Sequence, residues 1–145
     1  MCWVGIDPGL ARCGVAVADP TDTLATPLCV LPTEPRETLA GRLAKALGHR
    51  WAKGLVVGLP LNQRGGEGEA AHQARRIGEL LAEGLGLDAV YIDERYSSRE
   101  AAVLRREALG GTKRAKRQHE RIDLYAATAI LQAFLDQRRA PGRQD

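Results

Sequence analysis

Apolar positions organise the reading of this chain. Residues 2–6 form an apolar run of strand length, which Asp7, Pro8 and Gly9 end abruptly before a strand-like pattern resumes over residues 12–19. In that second stretch Cys13, Val15 and Val17 alternate with Gly14, Ala16 and Ala18, so one face is small enough for another element to pack closely. Residues 23–31 carry Leu24, Leu28, Val30 and Leu31 between prolines and predict a third strand at a sheet edge, where a missing amide hydrogen is tolerated. Three strands in succession without helices imply an antiparallel meander.

The period changes after Glu34. Leu39, Leu43, Leu47 and Trp51 fall four apart and mark one apolar helical stripe, whereas residues 55–59 are almost wholly apolar, as a central parallel strand is. Pro60 stops that strand, and residues 62–68 read as a glycine-rich loop. A second helix is predicted over residues 70–85, with Ala70, Ala74, Ile77 and Leu81 on one face, before residues 89–92 return to a buried strand ahead of Asp93 and Glu94. Strand, helix, strand, helix, strand is the pattern of parallel crossovers. Ser97 and Glu100 have capping-box spacing, so a third helix is expected from Ser97 to just before Gly110. Residues 110–119 show no apolar periodicity and predict a mobile basic loop. The final helix is expected from near Arg121 to about Arg138, packing through Ile122, Ala126, Ala129, Ile130 and Ala133. The expected organisation is one domain over residues 1–139 with a disordered tail at 140–145, and no internal repeat.

Composition narrows the function classes. At 145 residues the chain has room for one core, and no apolar run approaches the roughly 20 residues of a membrane span. A soluble, cytoplasmic protein with no membrane partner is expected. Cys2, Cys13 and Cys29 are odd in number and lack Cys-x-x-Cys spacing, so they read as reduced packing residues and not as a disulfide framework or zinc site. The formal net charge is only +3, but its distribution is uneven. Lys and Arg against Asp and Glu number 10 and 12 over residues 1–98, 8 and 3 over residues 99–121, and 3 and 3 over residues 122–145. One segment thus holds five excess positive charges, which suits either a solvated face or a polyanion.

Candidate chemistry sits at strand ends. Asp7 either punctuates a hairpin, as most Asp-Pro-Gly sequences do, or presents a ligand-binding acid, with Gly9 free to take positive φ and Pro8 outside the ladder. In a sheet with parallel central strands the carboxyl ends share one edge, so Asp7 and Glu94 meet there, while alternation turns Asp93 to the other side. Asp123, in the first turn of the last helix, is either a helix-start acid or a third member of the group. Three carboxylates in one small volume call for a cation, and oxygen ligands favour Mg²⁺ or Mn²⁺, in a two-metal site able to drive in-line phosphodiester cleavage. Ser97, Ser98 and His119 have no triad context, and His49 and His72 read as helix-surface residues.

Four stretches together resemble the YqgF/RuvX family: Gly5-Ile6-Asp7-Pro8-Gly9 through Arg12-Cys13-Gly14-Val15-Ala16; Val56-Val57-Gly58-Leu59-Pro60-Leu61 with Gly66-Glu67-Gly68; Asp93-Glu94-Arg95; and Ile122-Asp123 through Ala126-Ala127 and Ile130-Leu131-Gln132. The resemblance covers nearly the whole chain in order. It implies an α/β, RNase H-like fold, with a five-stranded mixed sheet (strands 1–3 antiparallel; strands 1, 4 and 5 parallel) flanked by helices. It also implies a metal-dependent nuclease whose catalytic and metal-holding acids are Asp7, Glu94 and Asp123. Family roles include maturation of the small-subunit ribosomal RNA precursor, and members also look like Holliday junction resolvases. The chain departs from the usual pattern at Leu10 and Ala11, where Thr and Lys are frequent, and at Ser97 and Ser98, where Thr is frequent.

The nucleic-acid-binding candidates are Arg12, Asn62, Arg64, Arg95, Lys113, Arg114, Lys116, Arg117 and Arg121, with Gln63 beside them. For Arg12 a structural role stands beside phosphate contact, and for residues 62–64 an ordinary polar turn does. Expected partners are structured or single-stranded RNA, branched DNA and ribosomal precursor particles, met by a monomer or a weak homodimer. Two other classes stay open: a phosphotransferase, because Asp7-x-Gly9 followed by Gly14 resembles the first phosphate motif of sugar-kinase ATPases, and a non-catalytic RNA-binding assembly factor.

Overall fold

The apolar runs become five strands in a computed structural model, which describes residues 1–62, 64–94 and 113–139. They are β1 (Cys2–Asp7), β2 (Arg12–Ala18), β3 (Ala25–Pro32), β4 (Ala52–Leu59) and β5 (Ala89–Asp93), in the spatial order β3-β2-β1-β4-β5. β2 lies antiparallel to both β1 and β3, while β4 lies parallel to β1 and β5. This is the mixed sheet expected from the meander followed by crossovers. β3 is an edge strand, and its Pro27 sits where the register with β2 shifts between Val15 and Ala16, a position at which a missing donor is harmless.

The two faces of the sheet carry different side chains. Val4, Ile6, Val15, Leu55 and Val57 face α1 (Leu39–Leu47) and α2 (Glu69–Leu85), packing against Leu39, Leu43, Leu47, Ile77 and Leu81. Ala16, Ala18 and Val56 face α3 (Lys113–Arg139), against Ala127, Ile130, Leu131, Phe134 and Leu135. The small face thus admits the longest helix at close range. A Cβ at Gly5 would lie 2.7 Å from Leu131 Cβ and 2.9 Å from the Ala127 carbonyl oxygen. Gln132 ties α3 to the β2–β3 turn, accepting from the Ala25 amide at 2.8 Å and donating to the Thr23 carbonyl at 3.0 Å.

Several expectations need correction. Trp51 is not on the α1 stripe: Gly48, at φ 60°, ends the helix, and Trp51 lies beyond it, 78% exposed. On α2 the buried position is Ala71 and not Ala70, because the helix turns its 71–74–77–78–81 arc to the sheet. On α3 the packing face includes Ala127, Leu131 and Leu135, whereas Ala129 and Ala133 are only half-buried. Residues 113–119 are helical and not a loop, since Lys, Arg, Ala, Gln and Glu are good helix formers even where no apolar stripe marks them. The helix expected from Ser97 and the tail at 140–145 lie outside the described residues. Among the described residues no helix is long and apolar enough to cross a membrane.

Candidate active site

β1, β4 and β5 run parallel, so their carboxyl ends share one edge. Asp7 is the last residue of β1, and Glu94 directly follows β5. Alternation puts both on the α3 face: Asp7 is two residues past Gly5, beneath Leu131, and Glu94 is two past Ile92, which packs into the α3 core. Asp93 falls on the opposite face with Tyr91, as expected. Asp7 is paired across the ladder with Gly14, and a Cβ at Gly14 would overlap the backbone carbonyl of Asp123. On the other flank a Cβ at Gly58 would lie 2.5 Å from Ile130 Cδ1 and 3.7 Å from Glu94 Cβ. Bare backbone on β2 and β4 therefore lets α3 and the β5 end close in on either side of buried Asp7.

Asp123 has a cationic partner. Arg12, at the start of β2, donates from Nε to Asp123 Oδ2 at 2.5 Å, a charge-assisted contact with both side chains partly shielded from water. Among the described residues no group of three or more His, Cys, Asp or Glu side chains is placed to hold one metal ion. The backbone brings Asp7, Glu94 and Asp123 toward one edge and one face without gathering their side chains into one such group, and Asp123 is paired with the Arg12 guanidinium. Their chemistry, oxygen donors only, suits a hard divalent cation.

The loop between β1 and β2 is held by a residue that local sequence signals do not single out. Thr33, fully buried, donates its hydroxyl to the Gly9 carbonyl at 2.6 Å, and its amide donates to the Ala11 carbonyl at 3.0 Å. Arg42 of α1 fixes the backbone around Thr33 in turn, donating to the carbonyls of Pro32 at 2.6 Å and Pro35 at 3.1 Å. Gly9 is not in the left-handed region as expected; it is needed because a Cβ would lie 2.5 Å from the Arg12 carbonyl oxygen. Cys13 Sγ shares a hydrogen bond with the Thr33 hydroxyl at 3.4 Å, and burial pushes its thiol up. Cys2 and Cys13 are buried and Cys29 is half-buried, all three as free thiols.

The remaining candidates separate. Asn62 builds a turn, its Oδ1 accepting from the amides of Arg64 at 3.0 Å and Gly66 at 2.8 Å, which favours the polar-turn reading there. Arg64 is exposed at the same sheet edge. Lys113, Arg117 and Arg121 are exposed at four-residue spacing on the first turns of α3, and Arg121 donates to Gln118 Oε1 at 3.2 Å. Arg114 and Lys116 lie on the same turns. Gln63, Arg95, Ser97 and Ser98 lie outside the described residues.

Known proteins resemble this chain in sequence and in fold. A family model described as "RuvX: Holliday junction resolvase" matches residues 1–137. A relative from Anaeromyxobacter sp. (strain Fw109-5) is 42% identical over 142 residues, 97% of this chain and 100% of its own, and one from Chloroflexus aggregans is 38% identical over 138 residues, 95% of each; both are named as pre-16S rRNA nucleases. Among solved structures, Thermus thermophilus RuvC aligns with a TM-score of 0.56 at 20% identity over 96% of each chain. The Fowlpox virus resolvase, solved with Holliday junction DNA, aligns at 0.57 and 8% identity over 97% of this chain and 100% of its own. These structures establish the RNase H-like fold, and the family match together with the relatives shows that the chain belongs to the RuvX family.

Proposed function

We propose that this chain is a divalent-metal-dependent nuclease that hydrolyses phosphodiester bonds in maturation of the 5′ end of the small-subunit ribosomal RNA precursor. The observation that carries the reading is the strand register, with Asp7 between Gly14 and Gly58 and with Asp123 and Glu94 closing over those glycines. The names of the relatives support the RNA substrate. Asp7, Glu94 and Asp123 would hold Mg²⁺ or Mn²⁺, and the donor set fits that choice. When bound, such ions activate water and stabilise the leaving oxygen of an in-line displacement.

The chain's own residues bind and orient the strand. Lys113, Arg117 and Arg121 present an exposed cationic face on a rigid helix, suited to backbone phosphates, and Arg64 adds a charge at the sheet edge. Arg12 is paired with Asp123 in the free protein; a substrate phosphate would compete for the same guanidinium and so free the Asp123 carboxylate. Buried Asp7 stays fixed by its place in the ladder throughout. The working setting is the cytoplasm, on ribosomal precursor particles.

The test is cleavage of three labelled substrates with Mg²⁺, Mn²⁺ or EDTA: RNA carrying the precursor 5′ end, single-stranded DNA and a mobile four-way junction. Metal-dependent cutting of the RNA that falls by at least a hundredfold in Asp7→Asn is expected. Preferential cutting of the junction would favour the resolvase reading that the family description supports. Binding without cutting in every condition would leave an RNA-binding assembly factor instead.

A further inference from the structure

A cavity of about 380 Å³ opens on the α2 side of the β1–β2 loop. Pro8, Leu10, Pro60 and Ile77 form its apolar walls, and Glu69 and Gln73, from the start of α2, line it with polar groups. Gln73 Nε2 donates to Glu69 Oε1 at 2.9 Å, which orients the carboxylate. Leu10 is 64% exposed, a large apolar side chain held in solvent at the mouth of the cavity. Neither the acids nor the cationic face makes use of this cavity.

Its lining selects an occupant. Among the described residues no cation lines it and Glu69 is an anion, so a phosphate is repelled and an uncharged ring is accepted. Apolar walls with a few convergent hydrogen-bonding groups are how proteins hold a small uncharged ring, and an unstacked base of a single strand is such a ring. The location fits as well, because Pro8 directly follows Asp7, and exposed Arg64 at the same edge can meet the adjoining backbone phosphate. We propose that this cavity binds one unstacked nucleobase of a single-stranded nucleic acid beside the candidate active site, an assignment that rests on the nuclease reading. Glu69 only accepts hydrogen bonds, so it favours a base edge that presents adjacent N–H donors, guanine first.

The test is binding, not turnover. The full chain is titrated in EDTA against labelled single-stranded uridine oligonucleotides that carry one guanine at successive positions. One guanine position should tighten binding to wild type, and Leu10→Ala and Gln73→Ala should each weaken that complex by on the order of tenfold. Glu69→Gln should remove the guanine preference, whereas Asp7→Asn should keep it. Leu10 is exposed and Gln73 half-buried, and unchanged unfolding midpoints of their variants confirm intact folds. Equal affinity at every guanine position, or pocket variants that bind like wild type, would overturn the pocket while leaving the nuclease reading in place. Failure of wild type to bind any of these RNAs would overturn the RNA nuclease reading and the pocket with it.

Discussion

Gly14 is the most constrained residue of the candidate site. A methyl group there has to displace the Asp123 carbonyl, and α3 cannot retreat without opening its contact over Gly5 at Leu131 and Ala127. Gly14→Ala should therefore destabilise the fold by about 1–3 kcal/mol in urea unfolding, the usual cost of forcing volume into a packed interior. It should also lower nuclease activity more than the loss of folded protein accounts for, because the same shift moves Asp123 away from Arg12. An unchanged unfolding midpoint would mean that α3 can slide over the sheet without cost. The need for a small residue at Gly14 was legible in the alternation with Cys13 and Val15; the identity of what lies above it was not.

At the scale of elements, the first turns of α3 separate helix formation from packing. Lys113, Arg117 and Arg121 are exposed, so neutralising all three to Gln should change stability by less than about 0.5 kcal/mol. For a single-stranded substrate each phosphate contact contributes about 0.7 to the slope of log affinity against log salt, so the triple variant should flatten that slope by about 2. Titration at several salt concentrations measures it, and an unaltered slope would remove this face from the interface. Apolar periodicity failed to find these turns because a solvated helix has no stripe to find, only favourable propensity. The β1–β2 loop carries a similar lesson. Its local signals were proline and glycine, yet what holds it is Thr33, from a segment 24 residues further on.

At the scale of the whole molecule, the described residues form two cores on the two sides of one sheet. Leu43 belongs to the core under α1 and α2, and Leu131 to the core under α3; both are fully buried. Leu43→Ala and Leu131→Ala should each cost about 2–5 kcal/mol. The two residues belong to separate clusters with the sheet between them, so the double variant should match the sum within about 0.5 kcal/mol, as urea unfolding of all four proteins will test. A clear excess would mean that strain crosses the sheet. The sequence by itself determined the five strands, their directions, and the arrival of Asp7 and Glu94 at one edge. Strand period, apolar runs and proline stops are local properties, and crossovers make the later strands parallel. Only the tertiary structure decided which side chains meet at that edge. Asp123 reaches Arg12 across 111 residues of chain because α3 settles over bare glycine backbone, and close packing, not any local pattern, selects that position.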